Sequence, residues 1–593
     1  MPKKCNQFSI KVAGPAGSGV KSTGHLLQRS LKRLCFSTLG YLGYPSLIRG
    51  GQNTYQVDFS RGKVLAPKAT ANILLALNFG ALEKYAQTLT RPALVIIDEA
   101  QIKDAQAKSL NQLNKEYGFD IIELPVNQVL SDNQLPAIVQ NSFLVGAVFE
   151  LLDYPLKPAQ DLLKEMFEAK GDQVVQANIK AIKLGSEAAK KYKHNLNPKI
   201  KADIDLSPVC PTGKAEVETV VLTGNDAIAL GFIKGAGQFY SAYPMTPSTN
   251  ILHFLEKYGE KHGLVVRQAS TEIEAVGVAV GASYAGARSM VATSGGGLDL
   301  MSEFISMTAT TETPLVIVDA QRTGSGTGLP TWTEQADLYA AKHTGHGEFP
   351  RVVIAPGTPL EAYKLIQEAL NLADVYQIPV IFLSDKYLSE SVFTLTTRKI
   401  NQINIPVDRG QLITQDTPGG YLRYKLTNDG VSPRTIPGVK GGLHVANSDD
   451  HDESGNSIES DPMRIQMQSK RLKKLETLTT KLPLPEVLVN KQAKVALVGW
   501  GSTKLVLEAV AEKLSQPTAV VHFTYLYPLD HERLEKLFSQ FDKVILVENN
   551  STGQLKEDLM LAGANLTQMI LKYDGEPFFV DELLKEVEEI LNS

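Results

Sequence analysis

The sequence predicts an α/β fold divided into three such domains, and three observations carry the prediction. Short, continuous apolar runs recur at residues 94–98 (LVIID), 315–319 (LVIVD), 380–385 (VIFLSD) and 544–548 (VILVE). Runs of this length without polar alternation suit parallel strands buried on both faces. Three segments, beginning at Phe8, Val220 and Val495, open with a β-rich run, a glycine turn and a helical pattern, the form of a first βα unit. Finally, 593 residues are more than one hydrophobic core accommodates.

Taken in order, residues 1–193 form the first domain. Its opening strand ends in Gly14-Pro-Ala-Gly-Ser-Gly-Val-Lys-Ser. A nucleotide-binding phosphate loop needs its lysine directly after the last glycine, and here Val20 intervenes before Lys21. What remains is a tight strand-to-helix turn, with Gly17 and Gly19 at its tip, whose amides suit either close packing or an anion. Arg49, ahead of two glycines, is a second candidate in this domain. Residues 194–217 are a polar, proline-punctuated linker, and 218–400 form the central domain. Residues 401–484 are an irregular connecting segment, with six carboxylates and no Lys or Arg between Asn447 and Pro462. His451, Asp452 and Glu453 offer metal-ligand types there, but adjacent acids are expected as a solvated or partner-facing loop. The following stretch, with Arg464, Lys470, Arg471, Lys473 and Lys474, reads as a basic surface helix. Residues 485–593 form the last domain.

Composition narrows the function. A net charge of −4 gives no electrostatic reason for a nucleic-acid or membrane partner. No apolar stretch approaches the roughly 20 residues that span a bilayer, and no signal-type segment follows the first residues; a cytoplasmic protein is expected. The three cysteines, Cys5, Cys35 and Cys210, are far apart and make no C-x-x-C pair, so a disulfide framework is not expected. They are too few for a four-thiolate iron–sulfur cluster, so any such centre belongs to another subunit. No metal site is assigned to this chain.

The central domain carries the chemistry in three motifs, Tyr243-Pro-Met-Thr-Pro-Ser-Thr, Gln268-Ala-Ser-Thr-Glu-Ile-Glu-Ala and Gln321-Arg-Thr-Gly-Ser-Gly-Thr-Gly-Leu-Pro-Thr. They put a hydroxyl, a carboxylate and a guanidinium at the ends of successive strands, where open α/β sheets place ligands. Thr246 suits either a plain helix cap or a donor to a substrate oxygen at a helix N-terminus. Glu272 heads an apolar helix, where an acid is costly unless it has a partner. Arg322 begins a glycine-rich loop and can pair bidentately with a carboxylate; pairing with Asp319 or a loop carbonyl is the structural alternative.

The order and wording of these motifs resemble the pyrimidine-binding domain of the 2-oxoacid:ferredoxin oxidoreductases. The glycine turn and the Arg49 segment are similar to that family's gamma domain, and residues 485–593 to its transketolase C-terminal-like domain. The resemblance implies an alpha subunit with a fused gamma domain that decarboxylates a 2-oxoacid to acyl-coenzyme A. 2-Oxoglutarate is favoured over pyruvate, and electrons pass to ferredoxin. It further implies thiamine diphosphate with Mg2+, held mostly by a beta subunit that also carries a [4Fe-4S] cluster. Glu272 would activate the cofactor's pyrimidine, with Ser294 and Gly295 beside it. Thr246 and Arg322 would hold the substrate carboxylate, and Gly17, Gly19 and Arg49 would form a coenzyme A or active-site loop. The sequence departs from the family at Thr323-Gly-Ser-Gly and at Ser294-Gly-Gly-Gly, which loosens both loops without removing a catalytic group. A thiamine-dependent dehydrogenase or transketolase-like component, which passes acyl groups to other acceptors, and a non-catalytic scaffold subunit are the alternatives.

Overall fold

The computed structural model describes residues 7–46, 51–195, 210 and 218–592. They form two compact units. The first draws on residues up to Leu222 together with Ser391–Arg398 and Phe579–Leu583. Its eight-stranded sheet runs Phe119–Leu124, Leu89–Asp98, Ala71–Ala76, Phe8–Pro15, Gln52–Ser60, Ser37–Gly43, Val392–Thr396 and Thr219–Leu222. Phe8–Pro15 pairs in parallel with Ala71–Ala76 and antiparallel with Gln52–Ser60, so the sheet is mixed, parallel on one side and antiparallel on the other. The run at 94–98 lies inside the Leu89–Asp98 strand and is buried as its unbroken apolar character requires.

Two expectations change here. The strand at 219–222 does not open the central domain: it pairs antiparallel with Val392–Thr396 at the edge of this first sheet. Its four residues are only half-buried, unlike the central strands, and the helix that follows belongs to the other unit. Cys35 and Cys210 are paired as a disulfide, their Cα atoms 5.6 Å apart. A separation of 175 residues hid a proximity that only tertiary structure creates.

The second unit contains the remainder of the described chain. Its main sheet has the order Tyr525–Tyr527, Val352–Ile354, Pro379–Asp385, Leu315–Gln321, Ser289–Thr293, Phe239–Ala242, Val265–Gln268. All neighbours are parallel except Tyr525–Tyr527. A second sheet runs Glu486–Val489, Thr518–Phe523, Val495–Trp500, Lys543–Glu548, Leu566–Leu571. One apolar cluster joins the two, with Ile317 and Ile381 of the first sheet packed among Val498, Trp500 and Phe523 of the second.

Residues in the connecting segment are more buried than their composition predicts. The helix Asp461–Lys481 is not simply a basic surface helix: Lys470 and Lys474, four apart on one face, both reach the Glu312 carboxylate, and all three are essentially inaccessible. The acidic loop is likewise tied down. Asp450 pairs with Arg464 and Arg471, Asp452 accepts from the Ser454 and Asn456 amides, and Glu453 accepts from Leu426 N. His451 is fully buried against Tyr424, its two ring nitrogens facing the carbonyls of Asp452 and Thr310. The solvated reading holds for Asp449, Glu459 and Asp461, which are exposed; around His451 it does not, because cations and backbone groups from the same unit satisfy Asp450, Asp452 and Glu453. No group of three or more metal-ligand side chains occurs among the described residues, and no helix is long and apolar enough to cross a membrane.

Candidate functional site

Four adjacent parallel strands deliver the candidate side chains. From Phe239–Ala242 the chain goes to Val265–Gln268 on one side, then returns to Ser289–Thr293 and Leu315–Gln321 on the other. The connections at the C-terminal ends therefore diverge between Phe239–Ala242 and Ser289–Thr293, and such a reversal opens a crevice at the sheet edge. Thr246, Glu272, Ser294–Gly295 and Arg322 each follow one of these four strands.

Thr246 and Arg322 meet directly, since the Arg322 guanidinium donates to the Thr246 carbonyl at 2.8 Å. The loop-carbonyl alternative for Arg322 is thus realised, on the residue proposed to share its substrate. The Thr246 hydroxyl is not a helix cap. The helix Thr249–Tyr258 is preceded by Ser248, whose hydroxyl donates to the Met245 carbonyl instead. Asn225 pins the turn by donating to the Pro247 carbonyl at 2.8 Å.

Glu272 is the first residue of the helix Glu272–Tyr284 and is 5% exposed. The two acids of its motif have opposite environments. Glu274 accepts from the Ser270 amide and hydroxyl and pairs with Arg267; those bonds hold its carboxyl down at about 2. Glu272 has no comparable partner among the described residues, and its charge is felt by Arg322. Gly297 permits this placement, because a Cβ there would fall 1.9 Å from Thr293 Oγ1 and 3.0 Å from Glu272 Cγ.

Ser294 is fully buried, and its hydroxyl has no hydrogen-bond partner among the described residues. Gly295 stands at φ 32°, a left-handed value that favours glycine, and its amide donates to Asp319 Oδ1 at 2.8 Å. Asp319 ends its strand with no exposure and touches a carboxyl absent from the sequence-based candidates, Asp337. Burial, then each other's charge or hydrogen bond and that of Asp299, governs the pair. Asp337 is pushed up to about 6 and Asp319 well above the usual carboxylate range. Burial also pulls the Arg322 guanidinium down, against the opposing pull of Asp319, Asp337 and Glu272. Asp319 was legible only as a strand-end acid, while Asp337 lies in an unremarkable polar stretch and gave no signal.

An orphaned serine hydroxyl, a glycine turn with open space at Gly296 and a buried acid without a partner fit a polar heterocycle better than a packed core, so the edge suits the pyrimidine end of a thiamine-type cofactor. In the first unit, Gly17 and Gly19 have φ of 83° and 90° ahead of the helix Val20–Arg33. The Asn141 side chain lies over Gly19 and accepts from the Thr23 hydroxyl. Arg49 lies outside the described residues.

Residues 231–470 match the family described as "Pyruvate flavodoxin/ferredoxin oxidoreductase, thiamine diP-bdg", and residues 9–188 match "Pyruvate ferredoxin/flavodoxin oxidoreductase". Two similar proteins come from Aeropyrum pernix. The alpha subunit of 2-oxoacid:ferredoxin oxidoreductase 2 is 27% identical over 99% of this chain and 98% of its own length. That of 2-oxoacid:ferredoxin oxidoreductase 1 is 33% identical over 77% of this chain and 71% of its own. Among solved structures, a 2-oxoglutarate:ferredoxin oxidoreductase from Magnetococcus marinus with 2-oxoglutarate, coenzyme A and succinyl-CoA bound matches 98% of this chain and 99% of that one, at 30% identity and a TM-score of 0.87.

Proposed function

This chain belongs to the 2-oxoacid:ferredoxin oxidoreductase family as an alpha subunit, and from that premise we propose that it carries the substrate-positioning and cofactor-activating half of a coenzyme A-acylating oxidative decarboxylase with 2-oxoglutarate as the favoured acid. The observation that carries the proposal is the convergence of Thr246, Glu272, Ser294–Gly295 and Arg322 on one reversal of strand order, with Arg322 bonded to the Thr246 carbonyl. The structural relative with 2-oxoglutarate bound supports the choice of acid, and pyruvate is next.

Thiamine diphosphate, when bound, supplies the electron sink that decarboxylation of a 2-oxoacid needs. This chain's residues do the rest from their own positions. Arg322, already turned toward the Thr246 backbone, offers further N–H donors to a carboxylate, and the Thr246 hydroxyl is assigned to donate to an adjacent oxygen. Glu272 accepts a hydrogen bond from a ring nitrogen; its burial excludes water that would compete for that bond. Ser294 and the open Gly296 position leave room for the ring. We assign the diphosphate with its Mg2+ and the [4Fe-4S] cluster to a beta subunit, and electrons to ferredoxin. Coenzyme A is assigned to the Gly17–Gly19 turn and the Arg49 segment.

The test is Glu272→Gln in the chain purified anaerobically with its partner. Turnover of 2-oxoglutarate with coenzyme A and ferredoxin should fall by roughly 10²–10⁴-fold, while subunit assembly and thiamine diphosphate content are kept. Full activity in the variant would sink the assignment of Glu272. A cofactor-loaded complex inert with every 2-oxoacid would sink the reaction.

A further inference from the structure

The Asp319–Asp337 contact has a consequence for substrate binding. Ionised carboxylates are acceptors only, and the Oδ2 atoms of both residues have no donor among the described residues, although the two side chains touch. A contact of this kind becomes a hydrogen bond only when one proton is shared between the two groups. The pair is anchored on both sides. Asp319 Oδ1 accepts from Gly295 N at 2.8 Å. The Asp337 amide donates to Gln321 Oε1 at 3.0 Å, and Gln321 in turn donates to the Ser384 carbonyl at 3.0 Å. Asp337 Oδ2 lies 3.5 Å from the point where Gly295 would carry a Cβ.

The charged surroundings decide what the shared proton does. Asp299, Glu334 and Glu272 are the acids that face the pair or its neighbours, and Arg322 is the cation. With every acid ionised, one guanidinium would stand against several carboxylates in a place meant to receive another anion. A bound carboxylate takes up part of the Arg322 charge that stabilises the ionised pair and adds a negative charge beside it. Both effects favour the protonated form.

We propose that Asp319 and Asp337 form a proton-sharing positioning pair that takes up a proton from solvent when an anionic carboxylate binds at Arg322. The pair holds the Gly295 turn in place and keeps Arg322 available for the incoming anion. The proposal rests on the substrate role given above to Arg322.

Glutarate, an unreactive dicarboxylate, is the probe. Calorimetric titration of the alpha–beta complex in buffers of different ionisation enthalpy should show uptake of a fraction of a proton per site. The uptake should be largest near neutral pH and vanish in acid, where the pair is already protonated. Asp337→Asn should bind glutarate without that uptake. Binding without proton uptake in the wild type overturns the proposal, as does unchanged uptake in Asp337→Asn. If the wild type does not bind glutarate, the Arg322 substrate role fails instead, and infrared spectroscopy still decides the pair. A neutral carboxylic-acid carbonyl band, partial at neutral pH and growing as pH falls below it, should be present in the wild-type chain and be lost in Asp319→Asn or Asp337→Asn. Its absence from the wild type overturns the shared proton, and that measurement does not depend on any variant folding.

Discussion

Replacing Glu312 by glutamine tests the packing of the connecting helix and isolates charge from volume. Glu312 has no exposure and is the acid that Lys470 and Lys474 both contact; each lysine is 1% exposed at its side chain. Burial pushes its carboxyl up, but Lys470, Lys474 and Arg423 outweigh it and hold the group well below the usual carboxylate range. Glutamine nearly conserves size, so no cavity opens; two buried ammonium groups simply lose their counter-charge. Removing one partner of a buried pair typically costs about 3–5 kcal/mol. In urea, with a slope of roughly 3 kcal/mol per molar or more for a unit of this size, the midpoint should fall on the order of 1 M. Tryptophan fluorescence reads the right part of the molecule, because Trp332 and Trp500 both lie in the second unit. The sign of the pH dependence follows from the depressed carboxyl. Its contribution is complete above the ordinary value of 4.5 and is lost as pH falls below it, so the deficit of Glu312→Gln should persist at neutral pH and shrink only in acid. The triple variant Glu312→Gln, Lys470→Met, Lys474→Met should regain most of the loss, since apolar replacement of a buried ionic cluster is often neutral. A Glu312→Gln midpoint within roughly 0.2 M of wild type would refute the reasoning.

Three further outcomes are expected. Gly297→Ala places a methyl group against Thr293 and Glu272 and should lower turnover on the order of 10²-fold by displacing the carboxylate, with the far-ultraviolet circular dichroism unchanged. Arg322→Lys forfeits planar, multi-donor geometry; loss of a charged hydrogen bond worth about 1.5–3 kcal/mol should lower kcat/KM for the 2-oxoacid by roughly 10–150-fold, measured by steady-state kinetics. His522 is fully buried, faces the Gly501 carbonyl, and is pulled down to about 3 by burial and then Lys504. Only the unfolded chain binds that proton between 6.5 and about 3, so stability should fall as pH drops through this window, and His522→Gln should flatten the fall in urea titrations.

The sequence announces its buried parallel strands because a strand covered on both faces needs an unbroken apolar run, and Leu315–Gln321 and Lys543–Glu548 carry that signature in full. Thr219–Leu222 looks much the same over four residues, yet it lies at a sheet edge, because local pattern does not say which sheet a strand joins. The candidate site divides along the same line. Thr246, Glu272 and Arg322 stand beside turn residues and strand ends, so their positions were readable. Asp337 was not readable, for its meaning comes only from Asp319 across the fold. Lys470 and Lys474 were misread for the same reason: a charge run marks a solvated face unless another element brings a counter-charge, and Glu312 is 158 residues away from the first of them.

Charge at this sheet edge is balanced by topology more than by local pairing. The strand reversal sets an arginine, a glutamate without a partner among the described residues and a pair of touching aspartates within each other's fields, and none of them is committed to a simple ion pair. Glu274, one turn-start away, shows the ordinary solution: a guanidinium and two hydrogen-bond donors from its own loop. Had Glu272 been given the same partners, its carboxylate oxygens would already be occupied by donors from its own loop. Leaving it buried beside Arg322 and Gly297 keeps its acceptor capacity for a ligand, and the cost of burying it falls on a helix start whose dipole favours negative charge. The departures from the family wording at residues 294–297 and 323–326 are consistent with that division. The loops carry glycine where the proposed ligand would approach, while the groups that set charge sit on strand ends and a helix start.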